Sequence, residues 1–522
     1  MEDERATLLT VLRDQCDKTS VKDGCAPQGQ CGCCTVLIDG QARVSCVTPV
    51  RRIAGRVITT LEGLPPDERD AWADAFVSTG GSQCGFCTPG IICRFSALRA
   101  QGIDATDDTK LDNPLAAHLC RCTGWQTIEE AFDAFGTQRT IDPDAAARRA
   151  NIEGGAEQQV GRSVALGQGG FAADTAPAGA LVAVPDGSGG WMVGETLAEV
   201  RARSGKVQGR RTTAAADAPI PVPDGDWDIT LQTSWVEPAH LETEVSWCEP
   251  GGSPSSPLAN GGAFGAKVDS DVSEMAQRLA NEHGRAVKVV LSREDSVRIG
   301  AKRPPIAAGI NADGTGRITV VRTPGISDAI TTVAPGLAVD EVDVPGPPTS
   351  TSLRGAGWVE AAVLLAAARD EAEIVGPSGG RASAVFDGER LLVTVEAGEP
   401  LDEVVLRSYC IGAAHMAYSW VTSEQLHVDA EGEIHDLTIR SFGIVRAADT
   451  PPIEITITDS GAAPVNGSDA VFAAVALATW RQSGFASSWP TAIASISTIP
   501  PRGRASTAKA ARAGRVSPKQ SM

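Results

Sequence analysis

Eleven of the thirteen cysteines in this chain of 522 residues fall within its first 122, and only Cys248 and Cys410 lie beyond. Four of the eleven, Cys25, Cys31, Cys33 and Cys34, are gathered in "GCAPQGQCGCCTV", residues 24–36. That stretch is too short and too rich in glycine to be a helix. The apolar fraction of 42% and charged fraction of 21% are those of a globular protein, and the opening "MEDERATLL" is acidic where a secretory signal would be basic. A cytoplasmic chain is therefore expected. In a reducing compartment, dense cysteine signals metal or redox chemistry more often than disulfides.

The cysteines form two groups. The first is Cys25-x5-Cys31-x2-Cys34-x11-Cys46, one residue longer in its first gap than the plant-type C-x4-C-x2-C set that holds a [2Fe-2S] cluster. Gly24, Gly29 and Gly32 would let such a loop bend around the irons and bring N–H groups near the sulfurs. Cys33 leaves the third ligand open between Cys33 and Cys34; Cys34 keeps the x2 step and is preferred. The second group, in "QCGFCTPG" and "HLCRCTGW", is Cys84-x2-Cys87-x32-Cys120-x-Cys122. Each of its pairs precedes an expected helix, whose positive end would favour a negatively charged centre. Zinc is the alternative for both groups, though Cys-x-Cys departs from the gap of two to four residues usual in zinc sites. Cys16, Cys93, Cys248 and Cys410 read as buried small hydrophobes.

Around these groups the pattern changes along the chain. "TVLIDGQARVSC" (35–46) alternates about Asp39-Gly40 and predicts a hairpin. Helical spacing follows at 65–78, with Asp67 a candidate N-cap, at 89–100 and at 126–135. Residues from 148 to about 226 are rich in Gly, Ala and Pro and read as a connection with short elements. Beyond lie a helix at 271–284, several strands, a hairpin expected over 426–443 and a late helix at 469–484. The tail from Pro500 carries six Lys and Arg without an acid and is expected to be disordered. A net charge of −19 argues against nucleic acid as a partner, and no apolar run approaches the length of a membrane span.

"QCGFCTPG" and "CRCTGW", in this order after the first group, resemble the iron–sulfur half of the molybdenum hydroxylases, the xanthine dehydrogenase and aldehyde oxidoreductase family. The resemblance covers residues 5 to about 135. It implies an α+β multidomain chain: a plant-type ferredoxin-like β-grasp [2Fe-2S] domain (1–64), a helical [2Fe-2S]-binding bundle (65–147), the linker (148–226), a shortened mixed α/β molybdopterin-binding-like region (227–499) and the basic tail (500–522). It implies two [2Fe-2S] clusters, on Cys25, Cys31, Cys34 and Cys46 and on Cys84, Cys87, Cys120 and Cys122, the helical one nearer a molybdopterin that Gln83 would hydrogen-bond. "NGGAFGAK" (260–267) is similar to the family's glycine loop beside molybdenum, placing Gly262, Phe264 and Gly265 there. "SLRGAGW" similarly gives Arg354.

Two departures stand against the last part. Only nine residues separate "WVEPAHLETEVSWCEP" from "NGGAFGAK", where the family has a long stretch with a glutamine near the metal. The C-terminal "DSGAAPVNGSDAVFAAV" offers no glutamate to act as general base. His240 reads as a structural histidine, Glu237, Glu242 and Glu244 as strand residues facing water, and the tryptophans from 227 onward as packing. The expected activity is oxidation of a purine, aldehyde or N-heterocycle at a molybdopterin site, with electrons passing through both clusters to an FAD-binding partner subunit. A further molybdopterin subunit is compatible with it. The alternative is an iron–sulfur electron-transfer or assembly subunit whose molybdopterin-like region is a non-catalytic scaffold.

Overall fold

The computed structural model describes residues 6–103, 109–205 and 216–491; the expected disordered tail lies outside them. The first unit is a three-stranded antiparallel sheet in which Thr35–Ile38 pairs Gln41–Val44 on one edge and Ile58–Thr59 on the other. Asp39 and Gly40 both hold positive φ, 48° and 73°, the geometry of a two-residue turn whose twist matches its strands. Leu8, Leu9, Leu12, Val36 and Ile38 close a small core that includes Cys34 and Cys46.

Helices Pro66–Thr79, Thr88–Ala100 and Gln126–Asp133 follow. Pro65 caps the first helix and Asp67 sits in its first turn beside Glu68, so the acid meets the helix dipole and is not the N-cap. Trp72, fully buried, packs against Phe95, Phe132 and Phe135 and binds the three helices together.

The expected connection over 148–226 is more ordered than its composition suggests. Helix Pro143–Gly154 runs into it, capped by Asp142, whose carboxylate accepts from the N–H groups of Asp144 and Ala145. Strands Leu181–Pro185 and Trp191–Gly194 join Val287–Val290 and Val245–Cys248 in one four-stranded sheet. The first two form a local hairpin, but the sheet is completed by Val287–Val290, more than 90 residues downstream, so local composition carries no trace of that pairing.

The remainder is mixed α and β, with a five-stranded and a second four-stranded sheet and a large core. Helices Glu403–Thr422 and Ser468–Gln482 run through that core, buried along most of their length. The hairpin expected over 426–443 forms only around its turn, where the His435 N–H donates to the His427 carbonyl and the Asp429 N–H to the Glu433 carbonyl, each at 3.0 Å. Only one bridge, Val428 to Ile434, is made, and residues 437–442 turn instead toward the N-terminal unit. Among the described residues no helix is long and apolar enough to cross a membrane.

Candidate functional site

All eight expected cysteine ligands are buried, in two sets. In the first, Gly29 and Gly32 take φ of 72° and 74° as the chain doubles back from Cys25 to Cys34. The Cys25 sulfur touches those of Cys31 and Cys46, and Cys46 touches Cys34, giving a row in the order 31, 25, 46, 34. Hydrogen bonds from Cys31 and Cys46 hold Cys25 well below the usual thiol range, and the Gln28 N–H adds another at 3.1 Å. Cys34 is pulled down by Cys46. Cys33, fully buried, touches Cys31 at the far end of the same row from Cys34.

In the second set, Cys84, Cys87, Cys120 and Cys122 line one cavity of about 10 Å³ with Phe86, Phe171, Leu241 and Gly262. The sulfurs of Cys84 and Cys122 are 3.6 Å apart. Two thiolates on one tetrahedral iron, with metal–sulfur bonds of about 2.3 Å, would stand about 3.7 Å apart. Cys87 and Cys120 form the other contact, and hydrogen bonds from Cys87 and the Thr123 hydroxyl bring Cys120 down to about 6. Among the described residues no three His, Cys, Asp or Glu side chains group as a single ion would require; in the second set the sulfurs meet in pairs. The chemistry of both sets, four buried thiols with two already biased toward thiolate in the first and one in the second, fits a [2Fe-2S] centre.

The two sets abut. The Leu119 N–H donates to the Cys31 carbonyl at 3.0 Å, joining the neighbour of one candidate ligand to another. Gly32 is required there, because a Cβ would lie 2.5 Å from His118 Nδ1 and 2.6 Å from the Ala117 carbonyl.

The residues matched to a molybdopterin site are arranged differently. Gln83 gives its amide to Ser408 Oγ at 2.9 Å on the Glu403–Thr422 helix. Gly262 lies on the second sulfur set, where a Cβ would meet the Cys84 sulfur at 2.9 Å. A Cβ on Gly265 would lie 1.7 Å from the Ser352 carbonyl, so that loop is laid directly on the one bearing Arg354. Arg354 pairs with Asp469 at 2.8 Å and faces Phe264 and Phe472. The cavity bounded by Phe264, Arg303, Arg354, Trp420 and Phe472 is about 40 Å³, room for about three waters, whereas small-molecule sites start at roughly 300 Å³. In this arrangement these residues do not fit a pterin.

Glu237, Glu242 and Glu244 do not face water. Each is buried beside a cation or histidine: Lys302 at 3.0 Å, Lys267 at 2.7 Å and His240 at 3.5 Å. Arg121, between Cys120 and Cys122, forms a bidentate pair with Glu424 at 2.5 and 2.7 Å. Sequence reasoning missed two further arginines at the first sulfur set, Arg293 and Arg440. Their partners are backbone carbonyls far away in the chain, which no motif announces.

A sequence profile described as a [2Fe-2S] binding domain matches residues 60–133. A probable xanthine dehydrogenase subunit from Bacillus subtilis is 41% identical over 121 residues, 23% of this chain and 69% of that protein. The nicotinate dehydrogenase small FeS subunit of Eubacterium barkeri is 38% identical over 125 residues, 24% of this chain and 78% of that one. The aldehyde oxidoreductase of Megalodesulfovibrio gigas is 41% identical over 132 residues, 25% of this chain, which spans only 14% of that relative's length. Among solved structures, the aldehyde oxidoreductase from Desulfovibrio gigas superposes with a TM-score of 0.65 at 14% identity, covering 91% of this chain and 95% of that one. That likeness is one of fold, and it extends through the C-terminal region.

Proposed function

Because the chain belongs to the xanthine dehydrogenase and aldehyde oxidoreductase family of molybdenum hydroxylases, we propose that it passes electrons from a molybdopterin site through two [2Fe-2S] clusters to a flavin-bearing partner. It is such an enzyme or a subunit of one. The substrate would be a purine, an aldehyde or an N-heterocycle. The family's cofactors are [2Fe-2S] clusters and molybdopterin, with FAD on a partner subunit. A [2Fe-2S] centre supplies one-electron chemistry when bound.

One observation carries the reading: two sets of four buried sulfurs, one hydrogen bond apart. Cys25, Cys31, Cys34 and Cys46 would hold one centre, and Cys84, Cys87, Cys120 and Cys122 the other. Asn260 supports the second by donating to the Cys84 carbonyl at 3.1 Å. The mixed α/β region excludes water from both sets.

The cavity of about 40 Å³ beside Arg354 favours a second reading of where molybdopterin resides. In it, the C-terminal region is a scaffold and a separate subunit carries the pterin. Iron and molybdenum analysis of the purified chain, with EPR after dithionite reduction, separates the two. About four irons, two rhombic signals and bound molybdenum support a site on this chain; the same irons and signals without molybdenum support the partner. Zinc in place of iron would overturn both.

A further inference from the structure

Seven lysines and arginines are buried among the described residues, and six have a carboxylate at ion-pair distance. Arg293 is the exception. It is fully buried at the start of helix Arg293–Ile299, and its Nη2 donates to the carbonyls of Gly24 and Leu241, each at 2.8 Å. Its Nε and Nη1 have no hydrogen-bond partner. Gly24 packs on the first sulfur set; a Cβ there would lie 3.1 Å from the Cys31 sulfur and 3.2 Å from that of Cys33.

Arg440 reaches the same loop from its other side. Its Nε and Nη2 donate to the Gln30 carbonyl at 3.0 and 2.9 Å, and Nη2 also to the Ala116 carbonyl at 2.6 Å. It too has no carboxylate partner among the described residues, and its charge acts on Cys31 and Cys25. The loop is docked for this contact. Gln28 donates to the Leu437 carbonyl at 2.8 Å and accepts from the Ile439 N–H, and Gln30 accepts from the Arg440 N–H.

Among the described residues the second sulfur set has no counterpart. Arg121 is neutralised by Glu424, and Lys267, which lines the cavity, by Glu242. Net charge and hydrogen bonding set the potential of an iron–sulfur centre, which becomes more negative in charge on reduction. An uncompensated cation in a low-dielectric interior stabilises the reduced form, and a paired one does so far less.

We propose that Arg293 and Arg440 are redox-positioning residues whose guanidinium groups, unpaired with any carboxylate among the described residues, raise the potential of the N-terminal centre. An electron passing between the two centres is lost by one and gained by the other, and the arginines neither take nor give a proton. The inference rests on the reading of both sulfur sets as [2Fe-2S] sites.

The test is an EPR-monitored redox titration of the iron-loaded full chain, with the helical signal assigned as the one lost in Cys120→Ala. Arg440→Met and Arg293→Met should each lower the reduced-to-oxidised ratio of the N-terminal signal at fixed potential by about tenfold, which is about 59 mV for one electron, and leave the helical signal in place. Arg440→Lys and Arg293→Lys, which keep the charge, should retain most of the original ratio. Unshifted ratios in both methionine variants, equal shifts of both signals, or lysine variants as impaired as the methionine ones would overturn the inference. Loss of iron from the methionine variants would make the arginines loop scaffolding, which also overturns it. An unmodified chain that binds no iron would instead sink the cluster reading itself.

Discussion

Cys33 and Cys34 are adjacent in the chain yet face different neighbours, the first touching Cys31 and the second Cys46. Cys34→Ala should therefore abolish the N-terminal EPR signal, whereas Cys33→Ala should preserve it at a stability cost of about 1 kcal/mol. Spectra and urea unfolding of the two variants would check this. The ligand spacing was legible in the sequence because the loop that wraps a centre is local. The role of Arg293 was not, since its acceptor Gly24 is 269 residues away. His415 gives a second residue-scale expectation. Burial, with Arg121 nearby, pushes it down to about 4, and its neutral ring donates from Nε2 to the Val445 carbonyl at 3.1 Å. A folded-state value below the unfolded one of about 6.5 means that the unfolded chain takes up the proton first as pH falls. Stability should fall by about 1.4 kcal/mol per pH unit between about 6.5 and 4 on this account. His415→Gln should flatten that slope in denaturation series; an unchanged slope would assign the loss to other groups.

At the scale of elements, the hairpin over 35–44 was readable because its turn residues dictate it, and the helix Gln126–Asp133 because one face is apolar. The Glu403–Thr422 helix left no such mark. It is buried on nearly every side, so polar and apolar positions do not alternate with a helical period. Its value to the second sulfur set shows at Gly412, where a Cβ would lie 1.7 Å from the Cys122 carbonyl. Gly412→Ala should cost about 2–3 kcal/mol and broaden or shift the helical EPR signal while sparing the N-terminal one. Equal disturbance of both signals would mean that the helix supports the molecule as a whole and not that centre. The hairpin expected over 426–443 is cut short for the converse reason: beyond its turn the backbone groups of Leu437 and Ile439 bond to Gln28 and not to a facing strand.

Over the whole molecule, the mixed α/β region is a cover for the cysteine-rich quarter, and charge pairing between the two is part of how it fits. Glu424→Gln would leave Arg121 buried without its partner, at an expected cost of about 3–5 kcal/mol. It should also raise the potential of the helical centre, as thermal unfolding and redox titration can measure. The segments similar to the family's glycine and arginine loops were recognisable in the sequence, but the narrowness of the space between them was not, because it follows from the contacts Gly262 and Gly265 make across the fold. The same cover bears on biogenesis. A single guanidinium, that of Arg440, closes over the Gln30 and Ala116 carbonyls at once, and 318 residues separate Cys122 from Arg440. At about 5–20 residues per second a ribosome leaves roughly 15–60 s between adding the last of the eight candidate ligands and adding the arginine that closes over the first set. Metal delivery should belong to that interval, so an iron chelator present during synthesis would yield a stably empty protein, and one added afterwards would remove little.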